Sequence, residues 1–327
     1  MSPLGNVLVT GCNGFVGRHL TEYLRSSATK VFGIDLQPRP WADWIEYDTL
    51  DIVDVSSVLA YFDRRKIDGI YHLAAVANPR LAGEDPISAL RTNVAGSAAF
   101  FEACRRHHLR LLVAGTMEEY RRASQEDLFF SENSPLDASS IYGMTKICAE
   151  MAGRSFVRNY GCHIIFTRTF NHCGPGQQPV YALSGFAKQS AEIAAGLRDP
   201  VIAVGNIDIC RDFLDVADVV RAYALLMEKG APGEVYNVCS SKCHTLRDLV
   251  STLLSFTGRA NVEISIQRDR FRAEEPRSIR GDSQKLRTLT GWEPRVTVRE
   301  MLQRLFEYWK YAISSGQSAE APAAGAL

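Results

Sequence analysis

Residues 10–19, TGCNGFVGRH, decide the fold of this 327-residue chain because they join a predicted strand to a predicted helix. Gly11, Gly14 and Gly17 follow one another at intervals of three residues. The preceding VLVT is typical of a buried strand, and the following RHLTEYL is typical of an amphipathic helix. In this context the first glycine permits a tight turn, the second a close backbone approach to a pyrophosphate, and the third close helix–strand packing. The stretch predicts a dinucleotide-binding loop, and a packing turn without a ligand is the alternative.

The alternation of strand and helix continues to about residue 171. Apolar runs predict further strands at 30–35, 69–75, 109–116 and 163–170, and amphipathic runs predict helices at 18–27, 56–65, 88–107 and 142–161. Strands buried on both faces and joined by helices form a parallel sheet. We therefore predict an α/β fold, a Rossmann-type doubly wound parallel sheet with a smaller C-terminal lobe. The sheet domain takes residues 1–171 and about 212–241, the lobe takes 172–211 and 242–312, and residues 313–327 form a disordered tail.

Composition narrows the class of partners and the compartment. Lys and Arg number 37 and Asp and Glu number 37, so the balanced charge exerts no overall attraction toward nucleic acid or an anionic membrane. No apolar run approaches the roughly 20 residues of a membrane span, and the N-terminus has no basic segment typical of a signal peptide. The eight cysteines form no CxxC pair. We expect a cytoplasmic protein with free thiols, no metal site, no nucleic-acid partner and no membrane partner.

An acidic residue at the end of the second predicted strand bears on the choice of dinucleotide. Asp35 lies where a carboxylate can bind the adenosine ribose hydroxyls and disfavour the 2′-phosphate of NADP. Arg39 lies close enough in sequence to soften that preference. We expect NAD(H) or NADP(H), with NAD favoured. Asp51 and Ile52 either flank the adenine or form an ordinary loop before a helix.

Four residues along the chain could supply the chemistry. Tyr142 and Lys146 stand four apart on a predicted helix and so share one face. An ammonium beside a phenol lowers the pKa of the phenol, which then becomes a good proton donor near neutral pH. Thr116 ends a predicted strand at the sheet edge where ligands bind, or it caps a turn. Asn93 holds a helix bulge and a water near Lys146, or it is an ordinary helix residue.

These motifs carry a family resemblance. TGCNGFVG (10–17), HLAA (72–75) and YGMTK (142–146) resemble the nucleotide-sugar-modifying branch of the extended short-chain dehydrogenases/reductases. Two stretches in the second half extend the resemblance, namely RTFNHCGPGQ (168–177) and GEVYNVCS (233–240). They are similar first to GDP-4-keto-6-deoxy-D-mannose reductases and second to GDP-mannose 4,6-dehydratases.

The resemblance implies a function and a partner. It implies NAD(P)H-dependent reduction of the C4 ketone of a GDP-linked 4-keto-6-deoxyhexose by a homodimer that associates through the helices at 88–107 and 142–160. A 4,6-dehydratase, a nucleotide-sugar epimerase and a non-catalytic dinucleotide sensor are the alternatives.

The resemblance also implies residue roles. Thr116, Tyr142 and Lys146 form the catalytic triad, with Asn93 in support. The cofactor is expected to lie against Gly11, Asn13, Gly14, Phe15, Val16, Gly17, Asp35, Asp51, Ile52, Leu73, Ala74, Ala75, Tyr142 and Lys146. The substrate is expected to meet Asn171, Lys188, Arg211, Arg272 and Glu275, with the basic residues on the diphosphate. Alternatively, Arg211 pairs with Asp212 or Asp215, and Arg272 and Glu275 form a surface ion pair of little energetic weight.

One stretch departs from the family pattern. The usual SSxxxYG after the catalytic strand reads GTMEEYRR (115–122) here, with Met117 in place of a hydroxyl residue and Arg121 in place of glycine. Glu118 stands where related dehydratases carry the carboxylate that removes the C5 proton. We therefore include Glu118 among the candidate catalytic residues, as a base, a substrate ligand or a remnant.

Overall fold

The computed structural model describes residues 5–25, 30–121, 126–271 and 275–316. A seven-stranded sheet forms its centre. Numbered along the chain together with the strands of smaller sheets, its members are β1 (Asn6–Thr10), β2 (Lys30–Asp35), β3 (Glu46–Thr49), β4 (Gly69–His72), β5 (Arg110–Thr116), β7 (His163–Thr169) and β12 (Val235–Val238). Their order is β12–β7–β5–β4–β1–β2–β3, and every neighbouring pair is parallel.

Helices cover both faces of this sheet. On one face lie α1 (Phe15–Arg25), α8 (Val216–Lys229) and α10 (Gln284–Thr290), and on the other lie α2 (Val55–Asp63), α5 (Ser97–His107) and α6 (Ile141–Tyr160). Two separate apolar clusters fill the layers, one around Leu20 and Val220 and the other around Phe62 and Phe100. A sheet buried on both faces explains the near-continuous apolar strands. The predicted doubly wound α/β fold is confirmed.

The helix expected at 88–107 has a more complex course. Two short helices, α3 (Pro79–Glu84) and α4 (Pro86–Leu90), come first, and each begins after an acidic or amide cap. A π-helical segment, Arg91–Gly96, then separates α4 from α5. Such segments are rare and occur mostly at functional sites.

The smaller lobe surrounds a core of its own. Its helices are α7 (Ala182–Ala194), α9 (Leu246–Ser255) and α11 (Val298–Ser314), which pack through residues such as Phe186, Leu249 and Trp309. The short strands that accompany these helices are β6 (Asp127–Phe130), β8 (Asn171–Cys173), β9 (Val201–Val204), β10 (Cys210–Arg211), β11 (Phe213–Asp215), β13 (His244–Thr245), β14 (Glu263–Ile266) and β15 (Ser278–Gly281). They form the sheets β13–β10–β15–β6, β11–β8 and β14–β9.

The last helix extends two residues into the segment that was predicted to be a tail. Because α11 extends to Ser314, residues 313 and 314 belong to a helix and not to a tail. Residues 317–327, the rest of the expected tail, lie outside the described residues.

Two of the cysteines differ from expectation. A disulfide joins Cys210 and Cys243, whose Cα atoms are 5.6 Å apart, whereas the sequence predicted free thiols throughout. The antiparallel pairing of β10 with β13 brings the two together across 33 residues of chain. Cysteine spacing alone carries no information on such a strand pairing. The remaining six cysteines are free.

A buried carboxylate fastens the lobe to the sheet domain. Asp218, in the first turn of α8, is 1% exposed and accepts hydrogen bonds from the backbone N–H groups of Arg295 and Val296 at 2.9 Å. Arg221 donates to the same carboxylate at 2.7 Å. Because the segment at 295–296 leads directly into α11, this one side chain fixes the start of the last helix of the lobe.

We expect Asp218→Ala to destabilise the protein by about 3–5 kcal/mol, because the change leaves a buried arginine and two N–H groups without their acceptor. Asp127→Ala is the matched control, since Asp127 forms a solvent-exposed ion pair with Arg277 whose loss leaves the stability nearly unchanged. Urea unfolding followed by circular dichroism measures both. Equal free energies of unfolding for the two variants would contradict the proposed role of Asp218.

Candidate active site

One cavity of about 1810 Å³ opens at the carboxyl ends of the central strands and extends to the smaller lobe. It is lined by every residue expected to hold the cofactor except Lys146, namely Gly11, Asn13, Gly14, Phe15, Val16, Gly17, Asp35, Asp51, Ile52, Leu73, Ala74, Ala75 and Tyr142. Thr116, Glu118, Asn171, Arg211 and Glu275 line the same cavity. The fold therefore brings the cofactor residues and most of the expected substrate residues together.

The glycine loop has the geometry of an anion cradle. Gly11 adopts a φ of +66°, which L side chains rarely adopt. A Cβ at Gly17 would lie 2.2 Å from the carbonyl oxygen of Gly11, so only glycine lets α1 approach β1 this closely. The first turn of α1 faces the cavity and contains no acidic residue. Its N–H groups and positive dipole end suit a diphosphate, and these residues therefore fit a dinucleotide.

Charged residues of both signs surround the expected ribose position. Asp35 accepts hydrogen bonds from the backbone N–H groups of Asn13 at 3.1 Å and Leu36 at 2.8 Å, which hold its carboxylate at the cavity wall. Arg18 and Arg39 line the cavity as well, and Arg18 donates to the Asn13 carbonyl at 2.8 Å. Sequence reasoning missed Arg18, although a cation directly after the third glycine was the available signal. Asp35 suits ribose hydroxyls, and the two arginines suit a 2′-phosphate.

A chain of hydroxyl and imidazole groups holds the HLAA segment beside the loop. The Thr10 hydroxyl oxygen accepts from the N–H groups of Leu73 and Ala74 at 3.1 and 3.0 Å, so its proton points to Nδ1 of His72 at 2.9 Å. His72 Nε2 then donates to the Ser97 hydroxyl at 3.0 Å. Burial, and next the charge of Lys146, lower the pKa of His72 to about 3, which keeps the ring neutral. This network fixes two strand ends and the start of α5 relative to one another.

Asn93 lies in the π-helical segment, in agreement with the predicted helix bulge. Its amide pairs with the backbone of Val76, accepting at 2.8 Å and donating at 3.2 Å, and donates to the Thr145 hydroxyl at 2.9 Å. The Ser97 hydroxyl donates to the Asn93 carbonyl at 2.6 Å. Asn93 does not itself line the cavity, but it connects the lining residue Val76 to Thr145, the residue before Lys146. The expected water beside Lys146 stays a prediction.

Thr116 both lines the cavity and caps a turn. Its hydroxyl accepts from the Glu118 N–H at 3.2 Å, at the start of the 3-10 turn Met117–Glu119. Glu118 Oε2 accepts from the Ser140 hydroxyl at 3.2 Å. The Met117 sulfur lies 3.9 Å from the Asn171 amide, and the buried Met117 side chain gives this part of the cavity an apolar wall. The unusual stretch at the end of β5 thus places three of its side chains directly in the site, those of Thr116, Met117 and Glu118.

Tyr142 and Lys146 share a face of α6, which Ser140 caps by accepting from Gly143 at 3.1 Å. The Lys146 ammonium donates to the Ala114 carbonyl at 2.8 Å and lies 6.0 Å from the centre of the Tyr142 ring. Burial lowers the pKa of Lys146 to about 8.

The prediction of a lowered pKa for Tyr142 is wrong for this structure, because other groups outweigh the ammonium of Lys146. Burial, followed by the charges of Glu119 and Glu118, raises the pKa of Tyr142 well above its usual range. The sequence spacing could not reveal this, because burial and the two carboxylates come from the packing around the helix. The Tyr142 phenol is therefore protonated at neutral pH.

The lobe residues divide into two groups. Arg211 donates to the Pro276 carbonyl at 3.0 Å and to Glu275 at 3.3 Å. The acids considered as its alternative partners are engaged elsewhere: Asp212 accepts from the N–H groups of 240 and 241, and Asp215 pairs with Arg304. Asn171 donates to the Asp212 carbonyl at 3.2 Å while lining the cavity.

Lys188 does not lie where the resemblance placed it. Its ammonium is 3.8 Å from Glu192 and 5.5 Å from the ring centre of Trp309, and the residue does not line the cavity. The Lys188 side chain is 35% exposed, whereas its neighbours Gly185 and Gln189 line the cavity. A diphosphate contact from Lys188 is therefore not supported. Arg272 lies outside the described residues, and Arg270, which was not predicted, lines the cavity near Glu275.

The described residues contain no group of three or more His, Cys, Asp or Glu side chains placed to hold a metal ion. They also contain no helix with the length and apolar character that crossing a membrane requires.

Comparisons with known proteins agree with the geometry. GDP-6-deoxy-D-mannose reductase from Pseudomonas aeruginosa is 31% identical over 308 residues, covering 93% of this chain and 97% of that protein. The solved structure of RMD from Pseudomonas aeruginosa complexed with NADPH has a TM-score of 0.83 and 29% identity, covering 94% and 99% of the two chains. MoeE5 in complex with UDP-glucuronic acid and NAD has a TM-score of 0.81 and 28% identity, covering 94% and 100%.

The family follows from the extent of the match. Residues 8–305 match the GDP-mannose 4,6 dehydratase family, which is most of the chain and includes both the sheet domain and the lobe. The resemblance seen in the motifs is thereby confirmed, as is the expectation of an NAD(P)-dependent nucleotide-sugar enzyme of the extended short-chain dehydrogenase/reductase type. The chain belongs to the GDP-mannose 4,6 dehydratase family.

Proposed function

We propose that this enzyme uses NAD(P)H to reduce the C4 ketone of a GDP-linked 4-keto-6-deoxyhexose. The observation that carries the proposal is the position of Thr116 and Tyr142 in one cavity, between the glycine loop and Arg211. Similarity to a GDP-6-deoxy-D-mannose reductase supports the choice of sugar and nucleotide.

The cofactor side of the cavity suits either dinucleotide. The glycine loop and the N-terminus of α1 would hold the diphosphate, and Asp35 with Arg18 would meet the adenosine ribose. When bound, NAD(P)H supplies the hydride that adds to the ketone carbon. The carboxylate favours NAD, whereas the arginine and the NADPH complex of the Pseudomonas aeruginosa structure favour NADP. We retain NAD as the slightly favoured cofactor because the Asp35 carboxylate is already fixed at the wall.

Tyr142 is the proton donor in the proposed reaction. As the ketone is reduced, Tyr142 donates its phenolic proton to O4, while the Thr116 hydroxyl hydrogen-bonds the same oxygen. The charge of Lys146 stabilises the phenolate that remains. A phenol kept protonated by burial suits reduction, where it donates a proton.

The sugar side has an apolar surface where the family pattern has a hydroxyl. The buried Met117 lines the cavity between Thr116 and Glu118. A methyl group at C6 of a deoxy sugar would pack against this thioether, whereas a hydroxyl there would lose its hydrogen bonds. Arg211 and Asn171 would then meet the diphosphate and sugar from the lobe side.

We expect Tyr142→Phe to lower kcat by about a hundredfold to ten-thousandfold, because the variant keeps the ring and loses the proton donor. The assay follows the absorbance of NADH and of NADPH, in parallel, with GDP-4-keto-6-deoxymannose. Tyr311→Phe, on the exposed side of α11, is the matched control and retains full activity. Failure of the unaltered enzyme to consume either cofactor would refute the reductase proposal.

A 4,6-dehydratase is the second candidate, and Glu118 is the observation that favours it. Its carboxylate lies in the cavity one residue beyond Met117 and accepts from Ser140. In a dehydratase such a carboxylate would remove the C5 proton, and the cofactor would return to its starting redox state.

Glu118→Gln separates these two candidates. In a reductase we expect the variant to keep kcat within about tenfold of the unaltered enzyme, since Tyr142 and Thr116 suffice for the proton transfer, whereas a dehydratase loses a general base worth about 10²–10⁴-fold. The products from GDP-mannose and from GDP-4-keto-6-deoxymannose are measured by mass spectrometry. Glu307→Gln, an exposed carboxylate on α11, is the control. Water loss from GDP-mannose that vanishes in Glu118→Gln would favour the dehydratase.

We also propose that the enzyme is a homodimer formed through α5 and α6. Met151 and Tyr160 on α6 are 62% and 59% exposed, so this helix presents apolar surface to solvent in a single chain. Light scattering is expected to give twice the chain mass of 36.3 kDa. Met151→Glu is expected to shift the mass toward the monomer, whereas Leu197→Glu, at an equally exposed apolar site on the lobe, does not. A monomeric unaltered protein would contradict the proposal.

A further inference from the structure

Glu119 is a buried carboxyl that the proposed chemistry does not use. It is 1% exposed, and its Oε1 accepts from the Thr116 N–H at 2.8 Å. A Cβ at Gly115 would lie 2.5 Å from that oxygen, so the glycine makes room for the carboxyl. Glu119 thus lies directly beneath the threonine that faces the substrate.

The carboxyl belongs to a buried cluster with two acids around one guanidinium. Arg168, 2% exposed, donates to both oxygens of Glu150 at 2.7 and 3.0 Å. Arg154 also donates to Glu150, at 2.9 Å. The nearest contact of Arg168 with Glu119 is longer, 3.5 Å from Nε to Oε2. Glu150 therefore holds the arginine, and a charge on Glu119 would be poorly compensated.

One oxygen of Glu119 lacks a donor. Its Oε2 is fully buried and finds no hydrogen-bond partner among the described residues. A proton placed between Glu119 and Glu150 would supply the missing bond and remove the excess negative charge. Burial, and next the charge of Glu150, raise the pKa of Glu119 to about 8, which fits a carboxyl that is protonated at neutral pH.

The cluster is coupled to the active site through β5. Lys146 donates to the carbonyl of Ala114 and Glu119 accepts from the N–H of Thr116, so the two groups flank Gly115 on the same strand end. The charge of Glu119 raises the pKa of Lys146 against the effect of burial. An ionised Glu119 would therefore help Lys146 to keep its proton.

Other charged and titratable groups face this cluster from the elements around it. The Tyr120 hydroxyl accepts from Arg168 at 3.2 Å and donates to Asn237 at 2.6 Å, and Arg168 also donates to the Glu132 carbonyl at 3.1 Å. Tyr142 feels the charges of Glu119 and Glu118, and next that of Tyr223 on α8. Among these groups only Glu119 combines full burial with a carboxyl oxygen that accepts no hydrogen bond.

We propose that Glu119 and Glu150 share one proton beneath the active site, and that Glu119, on losing it, becomes the counter-charge that keeps Lys146 protonated. Glu119 is thus a positioning residue: it holds Thr116 through the backbone and extends the catalytic charge state of Lys146 to higher pH. The effect on turnover rests on the proposed reductase function, whereas the shared proton does not.

Glu119→Gln tests the coupling, because the amide can still accept from Thr116 but cannot ionise. In the pH profile of kcat, we expect the alkaline limb that reports Lys146 to move to lower pH by about one unit in this variant. At about pH 6, below the limb, kcat stays within about twofold of the unaltered enzyme. Glu307→Gln, in an exposed ion pair on α11, leaves the profile unchanged. A purely structural role predicts an unmoved limb for Glu119→Gln, and that result would overturn the proposal.

Infrared spectroscopy tests the shared proton without turnover. The unaltered protein is expected to show the C=O stretch of a protonated carboxylic acid at neutral pH, which fades as pH rises through about 8 and is lost in Glu119→Gln. If the variant does not fold, the titration of the band in the unaltered protein decides alone. Absence of that band at neutral pH would refute the shared proton, and it would do so whatever the enzyme's substrate is.

Discussion

The contact between Gly17 and the Gly11 carbonyl is the constraint on which the rest of this structure depends. Any side chain at position 17 would bring its Cβ to 2.2 Å from that oxygen and to 2.8 Å from the backbone of Cys12. Glycine lets α1 lie directly on β1, so the helix begins at the strand end with its N–H groups toward the cavity. The parallel strands then place Asp35, Leu73 and Thr116 at the same edge of the sheet.

Polar contacts between distant segments turn that edge into an active site. Thr10, His72 and Ser97 connect β1, β4 and α5, and Asn93 continues the connection to α6. Each group in this network has both a donor role and an acceptor role available, and burial makes any missing partner costly. The π-helical segment is the backbone irregularity that lets Asn93 reach both Val76 and Thr145. The cluster of Glu119, Glu150 and Arg168 lies below the same strand ends. The catalytic side chains are therefore adjacent to a group of buried charged residues.

The same cavity could host related reactions, and the details of two residues separate them. The Tyr142 phenol, whose pKa is raised, keeps its proton at neutral pH, which suits donation during reduction. Glu118 is placed in the cavity as a base would be, next to the apolar Met117. The balance between proton donor and base, rather than the fold, distinguishes a reductase from a dehydratase, since both belong to one family.

The sequence by itself determined the features that depend on local spacing. Glycines at intervals of three predicted the loop, a tyrosine and lysine four apart predicted a shared helix face, and strand-end residues predicted the cavity edge. These hold because backbone geometry repeats within each element. Tertiary structure alone decided that Lys188 faces Trp309, that Arg211 pairs with Glu275, that Cys210 meets Cys243, and that burial raises the pKa of Tyr142. Each of these depends on elements far apart in the chain, whose packing sets side-chain direction and desolvation, and no local pattern encodes that packing.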